Sequence, residues 1–232
     1  MTVIDDDLID ELASTAFAMA KCIAAGARLW CIAPDHPEHA RHLAVEFVHP
    51  VIVGKQALPA VSLAGPGLVR SARSMARPGD VLIAVGAPHG ELAELLRRSP
   101  AWGVRSVWLG TEPYADGPLA DHEVIVDDRS GIAAYDGTMV TLYHLLWELT
   151  HVCLEAGVGP GARGDAATCV VCSDEALLGE VMSIDGDSMA TVCVAGRVSQ
   201  VDVSLVDAPS TDDLVLVHAG TAISRVERPG SG

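Results

Sequence analysis

The hydrophobic pattern of this 232-residue chain changes period once, and the change falls on a stretch with nothing to bury. From Gly157 to Asp165 the sequence reads Gly-Val-Gly-Pro-Gly-Ala-Arg-Gly-Asp, the composition of a flexible linker. Before it, short continuous apolar runs alternate with helical stretches. Arg28–Ala33, Ala60–Ala64, Val81–Val85, Val104–Leu109 and Val124–Val126 read as strands. Val3–Ala25, a segment through His39, Leu43 and Phe47, Gly67–Ala76, Gly90–Arg98 and Ile132–Ala156 read as helices. Apolar strands that alternate with helices specify a parallel sheet covered on both faces. After the linker come short alternating segments, Gly179–Ile184, Ala190–Val194, Val198–Ser204 and Leu214–His218, with turns at Asp185-Gly186-Asp187 and Ala195-Gly196. That pattern predicts a small all-β barrel. The expectation is two modules: an α/β domain over residues 1–155, a Gly-rich linker over 156–167 and a β-barrel domain over 168–232.

Local signals sharpen this division. Ile4, Leu8, Ile9, Leu12 and Phe17 predict the buried stripe of the first helix, and Gly26 its stop. Pro34-Asp35-His36-Pro37 reads as a turn in which Asp35 or His36 caps the next helix and Pro37 opens it. Half the residues are hydrophobic, ample for a packed core. No apolar run reaches the roughly 18 residues of a bilayer span. The start, Met-Thr-Val-Ile-Asp-Asp-Asp, is acidic where a secretory leader is basic. A cytoplasmic protein with no membrane partner is expected.

The net charge of −16 argues against nucleic acid as a partner, because phosphates need Lys and Arg. Residues 168–232 carry ten acidic and three basic side chains, hence −7 of that total. The six cysteines are expected to be reduced. Cys22, Cys31 and Cys153 sit among apolar neighbours as core fillers. Cys169 and Cys172 form a CxxC, which can supply iron with a soft thiolate, act as a redox pair, or be half a zinc site.

His42 and Glu46 stand four apart, on one helix face, where they can chelate zinc or form a surface ion pair. Four stretches around them carry a family resemblance: Ala-Arg-His-Leu-Ala-Val-Glu-Phe (40–47), Leu-Pro-Ala-Val-Ser-Leu (58–63), Pro-Gly-Asp-Val-Leu-Ile-Ala-Val (78–85) and Tyr-His-Leu-Leu-Trp-Glu-Leu (143–149). Through them the first module resembles the sugar isomerase (SIS) family, flavodoxin-like or Rossmann-like in fold, and its phosphoheptose isomerase branch in particular.

The resemblance implies that His42 and Glu46 are metal ligands. It places Asp136 and His144 where the family has a Gln and a His eight residues apart. Zinc accepts Asp as an oxygen donor in place of Gln. In such an aldose–ketose isomerase the metal polarises the carbonyl, while Glu46 and His144 shuttle protons through an enediol. The family's Ser- and Thr-rich phosphate loops are replaced here by Ala33-Pro34-Asp35-His36-Pro37 and Gly86-Ala87-Pro88-His89-Gly90. Hydroxyls are gone, prolines remove amide donors and Asp35 adds a negative charge, so an anionic sugar phosphate is expected to bind poorly. His36 and His89 either replace lost donors or are exposed loop histidines.

Four stretches of the second module carry another resemblance: Cys-Val-Val-Cys-Ser-Asp-Glu-Ala (169–176), Gly-Glu-Val-Met-Ser-Ile-Asp (179–185), Val-Ser-Leu-Val (203–206) and Asp-Leu-Val-Leu-Val-His-Ala-Gly-Thr-Ala-Ile-Ser (213–224). They resemble the HypC/HupF chaperones of nickel–iron hydrogenase maturation, with an OB-like barrel. There an N-terminal Cys and the His of a Val-His motif hold an iron carrying cyanide and carbon monoxide, passed from an iron-loading scaffold protein to the hydrogenase large-subunit precursor. His218 matches that His. Asp174 falls at the family's Cys position, with Cys172 two residues and Cys169 five residues before it.

Together the resemblances imply a hydrogenase maturation factor that forms a homo-oligomer, dimer or tetramer, through its SIS-like module. The alternative they imply is a metal-dependent isomerase of the phosphoheptose isomerase type, acting on a small hydroxylated or phosphorylated compound.

Overall fold

The computed structural model describes residues 6–52, 54–126, 137–157, 176–186 and 188–226. The chain divides into two compact units, Met1–Arg97 with Arg105–Arg163, and Arg98–Val104 with Gly164–Gly232.

In the first unit the strands are β1 (Leu29–Ile32), β2 (Ala60–Leu63), β3 (Val81–Val85), β4 (Arg105–Gly110) and β5 (His122–Ile125). The helices are α1 (Asp6–Ala24), α2 (Pro37–Val48), α3 (Leu68–Met75), α4 (Gly90–Arg98) and α5 (Gly137–Glu155). The strands pair in parallel in the order β2-β1-β3-β4-β5. Every residue of β1 and β3 is buried, which explains their unbroken apolar sequence. Helices α1, α2 and α5 pack with one face of this sheet into a core that includes Met19, Phe47, Val107, Tyr143 and Trp147.

The expected stripe of α1 needs correction. Ile9 and Phe17 are half exposed, and the buried face is Leu8, Leu12, Thr15, Ala16, Met19 and Ala20. Leu8 and Leu12 lie on that face as expected, and Met19 with the small Thr15, Ala16 and Ala20 completes it, whereas a reading by hydrophobic size also selected the outer Ile9 and Phe17. His36, not Asp35, is the N-cap residue of α2, with no side-chain capping bond, and Pro37 opens the helix as expected.

Asp80 organises the start of the sheet. Its carboxylate accepts the Arg28 and Arg77 amides and the Trp30 indole N–H, at 3.0, 3.0 and 2.9 Å. At the far end of β4, Trp108 lays its ring against Gly110 and donates its indole N–H to the Gly86 carbonyl at 2.9 Å. That bond anchors the loop after β3.

The second unit is a closed barrel of β6 (Leu177–Ile184), β7 (Met189–Val194), β8 (Arg197–Asp202), β9 (Leu214–His218) and β10 (Thr221–Val226), ordered β10-β8-β7-β6-β9. Its interior is almost entirely valine and alanine, from Val181 and Ala190 to Val217 and Ala222, as a narrow barrel requires. Strand β10 was not expected; a register shift between Ala222 and Ser224 breaks its alternation. Within this unit Glu180 is buried, accepts the Trp102 indole N–H at 2.8 Å and pairs with the Arg98 guanidinium, which also donates to the Asp212 carbonyl at 2.9 Å.

Among the described residues no helix is long and apolar enough to cross a membrane.

Candidate functional site

Helices α2 and α5 bring three of the expected ligands together. On α2 the core side is His39, Ala40, Leu43, Ala44 and Phe47, so His42 and Glu46 fall one position away, at the rim. On α5 the core side includes Tyr143, Leu146 and Trp147, and His144 lies beside it. His42 Nε2 is 3.2 Å from Glu46 Oε1, and His144 Nε2 is 3.6 Å from the same oxygen. All three ligand atoms lie within 4.8 Å of one another. The His144 Nε2 atom is buried and has no hydrogen-bond partner among the described residues.

Two imidazole nitrogens and a carboxylate oxygen are a donor set of the kind that zinc accepts. Zinc takes imidazole nitrogen and carboxylate oxygen at about 2.0–2.1 Å, which separates tetrahedral neighbours by about 3.3 Å. The 3.2 and 3.6 Å spacings bracket that edge, and the buried His144 nitrogen lacks a hydrogen-bond partner among the described residues. Asp136, the fourth expected ligand, lies outside the described residues.

The sequence reading missed two neighbours. The Tyr143 hydroxyl is 2.9 Å from His42 Nδ1 and 3.4 Å from His39 Nδ1. Both Tyr143 and His39 are buried. Burial, and secondarily the Glu46 charge, pushes the Tyr143 phenol up to about 12. The signals were present in the spacing: His39 precedes His42 by three residues and Tyr143 adjoins His144. A tyrosine on an apolar helix face reads as core, which it also is.

The loops after β1 and β3 flank the point where strand order reverses, the usual ligand crevice of an open parallel sheet. Here they meet in an exposed pair, His89 Nε2 to Asp35 Oδ2 at 3.5 Å, and His36 Nδ1 lies 3.4 Å from Glu38 Oε1. Both histidines therefore face carboxylates.

In the second unit His218 ends β9 and pairs with Thr221 across a two-residue turn. Ala219 and Gly220 both have positive φ, 48° and 83°, the geometry of a type I′ hairpin turn. The turn fixes His218 at the barrel's rim, half-buried. Cys169 and Cys172 lie outside the described residues, so their expected partnership with His218 has no structural description. Of the cysteines expected in the core, Cys31 is fully buried, whereas Cys22 and Cys153 are partly buried.

Comparison with solved structures shows the fold of the first module. It is similar to a phosphoheptose isomerase from Francisella tularensis, with 17% identity, a TM-score of 0.55, and coverage of 63% of this chain and 88% of that one. It is also similar to a phosphoheptose isomerase from Neisseria gonorrhoeae, with 15% identity, a TM-score of 0.51, and coverage of 65% and 88%. The first module therefore has the SIS fold of these proteins. The model of the HupF/HypC family matches residues 176–229, so the chain joins a SIS-fold module to a HupF/HypC domain. No curated protein sequence matches the chain significantly.

Proposed function

We propose that this chain is a nickel–iron hydrogenase maturation factor. Its barrel helps deliver the iron centre, with its cyanide and carbon monoxide, from an iron-loading scaffold protein to the hydrogenase large-subunit precursor. The observation that carries this reading is the HupF/HypC match over 176–229, with His218 held at the end of β9 by its turn. His218 supplies imidazole, and Cys169 or Cys172 the thiolate, to the iron cargo. The SIS-fold module provides homo-oligomerisation and a pocket in which His42, Glu46 and His144, with Asp136 as a fourth donor, hold zinc.

The test is co-isolation of the full chain with the large-subunit precursor from a hydrogenase-producing cell. Association is expected for the wild type, and iron in the complex is expected to fall sharply in His218→Ala and in the double variant Cys169→Ala/Cys172→Ala. Absence of the precursor from wild-type isolates refutes the proposal.

The three-residue cluster favours a second reading, an isomerase of the phosphoheptose isomerase type. Bound zinc would supply Lewis acidity toward a substrate carbonyl. In this reading Glu46, only 14% exposed and 3.2 and 3.6 Å from the two imidazole nitrogens, would take a proton from a neighbouring carbon, and His144 would return one. The Asp35–His89 pair argues against a phosphorylated substrate. Zinc-loaded chain is expected not to turn over sedoheptulose 7-phosphate; efficient turnover would establish the enzyme reading.

A further inference from the structure

The Tyr143 hydroxyl lies between two imidazoles of one helix, 2.9 Å from His42 Nδ1 and 3.4 Å from His39 Nδ1. The rings meet edge to face, with centroids 5.3 Å apart for His42 and 5.9 Å for His39. His39 and Tyr143 are buried while His42 is at the rim, so the line of contacts runs from the core outward to the ligand cluster. A phenol carries one proton and accepts others, so it can accept from one imidazole and donate to the other at once.

A histidine that ligates through Nε2 keeps its proton on Nδ1, and the partner of Nδ1 fixes both tautomer and ring orientation. His42 Nε2 is the nitrogen that faces Glu46, and Nδ1 is the nitrogen that faces Tyr143. We propose that Tyr143 is the positioning residue of His42. In the zinc-bound chain, His42 donates its Nδ1 proton to the Tyr143 oxygen, and Tyr143 donates its own proton to His39 Nδ1. The Nε2 lone pair is thereby aimed at the point shared with Glu46 and His144. This inference rests on the reading of that cluster as a metal site.

The test uses the full chain and zinc alone. Zinc affinity is measured by competition with a chromophoric chelator for the wild type, Tyr143→Phe, His39→Ala and His42→Ala. Long-range nitrogen–proton spectra of the imidazoles are recorded with zinc bound. His42→Ala is expected to lose binding. Tyr143→Phe, which keeps the ring and removes only the hydroxyl, is expected to weaken binding about 10–100-fold. The wild type is expected to show a slowly exchanging Nδ1 proton on His42, and Tyr143→Phe to lose that signal, an effect that a packing role alone does not produce. If Tyr143→Phe binds zinc as tightly as the wild type and keeps the Nδ1 proton, the positioning role is wrong while the metal site stands. If the wild type takes up no zinc, the metal site is wrong and the positioning role falls with it.

Discussion

Tyr143 is one of three tyrosines in the chain, and its ionisation is displaced by burial and by Glu46 from 10 to about 12. Because its folded value is raised, its contribution to stability is complete below pH 10. That contribution is lost as pH climbs through about 12. An ultraviolet absorbance titration of the folded chain should therefore show a phenol step near 12, and Tyr143→Phe should abolish that step. A wild-type titration that lacks this step, or that Tyr143→Phe leaves unchanged, would contradict the buried environment. Other residues are placed by similarly local causes. Burial pushes the Cys31 thiol far above its ordinary range, so it stays protonated and serves as filler. Hydrogen bonds from Thr191, Gln200 and Ser183 hold the Asp185 carboxyl below the usual carboxylate range. Stability from Asp185 is thus present above its ordinary 3.8 and lost as pH falls through the lower folded value.

At the scale of single elements, two glycines are set by close packing and one is not. A Cβ on Gly179 of β6 would stand 2.7 Å from Val192 Cγ1 and 3.0 Å from Val194 Cγ2. One on Gly110 of β4 would stand 2.6 Å from the Trp108 ring. Neither neighbour is a flexible chain end, so Gly179→Ala and Gly110→Ala are each expected to cost about 1–3 kcal/mol in denaturant unfolding. A Cβ on Gly137, at the start of α5, would meet nothing within 4 Å, and Gly137→Ala is expected to stabilise by about 0.4–1 kcal/mol. Equal effects at all three sites would refute the packing account. The sheet was legible because β1 and β3 are buried throughout and so read as unbroken apolar runs. Strand β10 was not, because its bulge puts Ala222 inside and leaves Ile223 half exposed, the reverse of what residue size suggests. That His42 and Glu46 share one helix face and meet was legible from helical spacing. Tyr143 meets His42 across 101 residues, a separation at which periodicity carries no information.

For the whole molecule, the two hydrophobic periods correspond to the two folds, and the 98–104 segment groups with the barrel. The contact that marks it, Arg98 with Glu180, spans 82 residues and leaves both side chains at 4% exposure or less. Removing one partner strands a buried charge, so Arg98→Met is expected to cost about 3–5 kcal/mol in unfolding experiments, and adding Glu180→Leu should recover a large part of that. Full additivity of the two single losses would show that the pair is not coupled. The proposed role of the whole chain rests on the HupF/HypC domain and its His218. Its most direct test is an infrared spectrum of the full chain isolated without oxygen from a hydrogenase-producing cell. Cyanide and carbon monoxide stretching bands are predicted for the wild type and predicted to vanish in His218→Ala. Their absence from iron-replete wild-type chain would contradict the account.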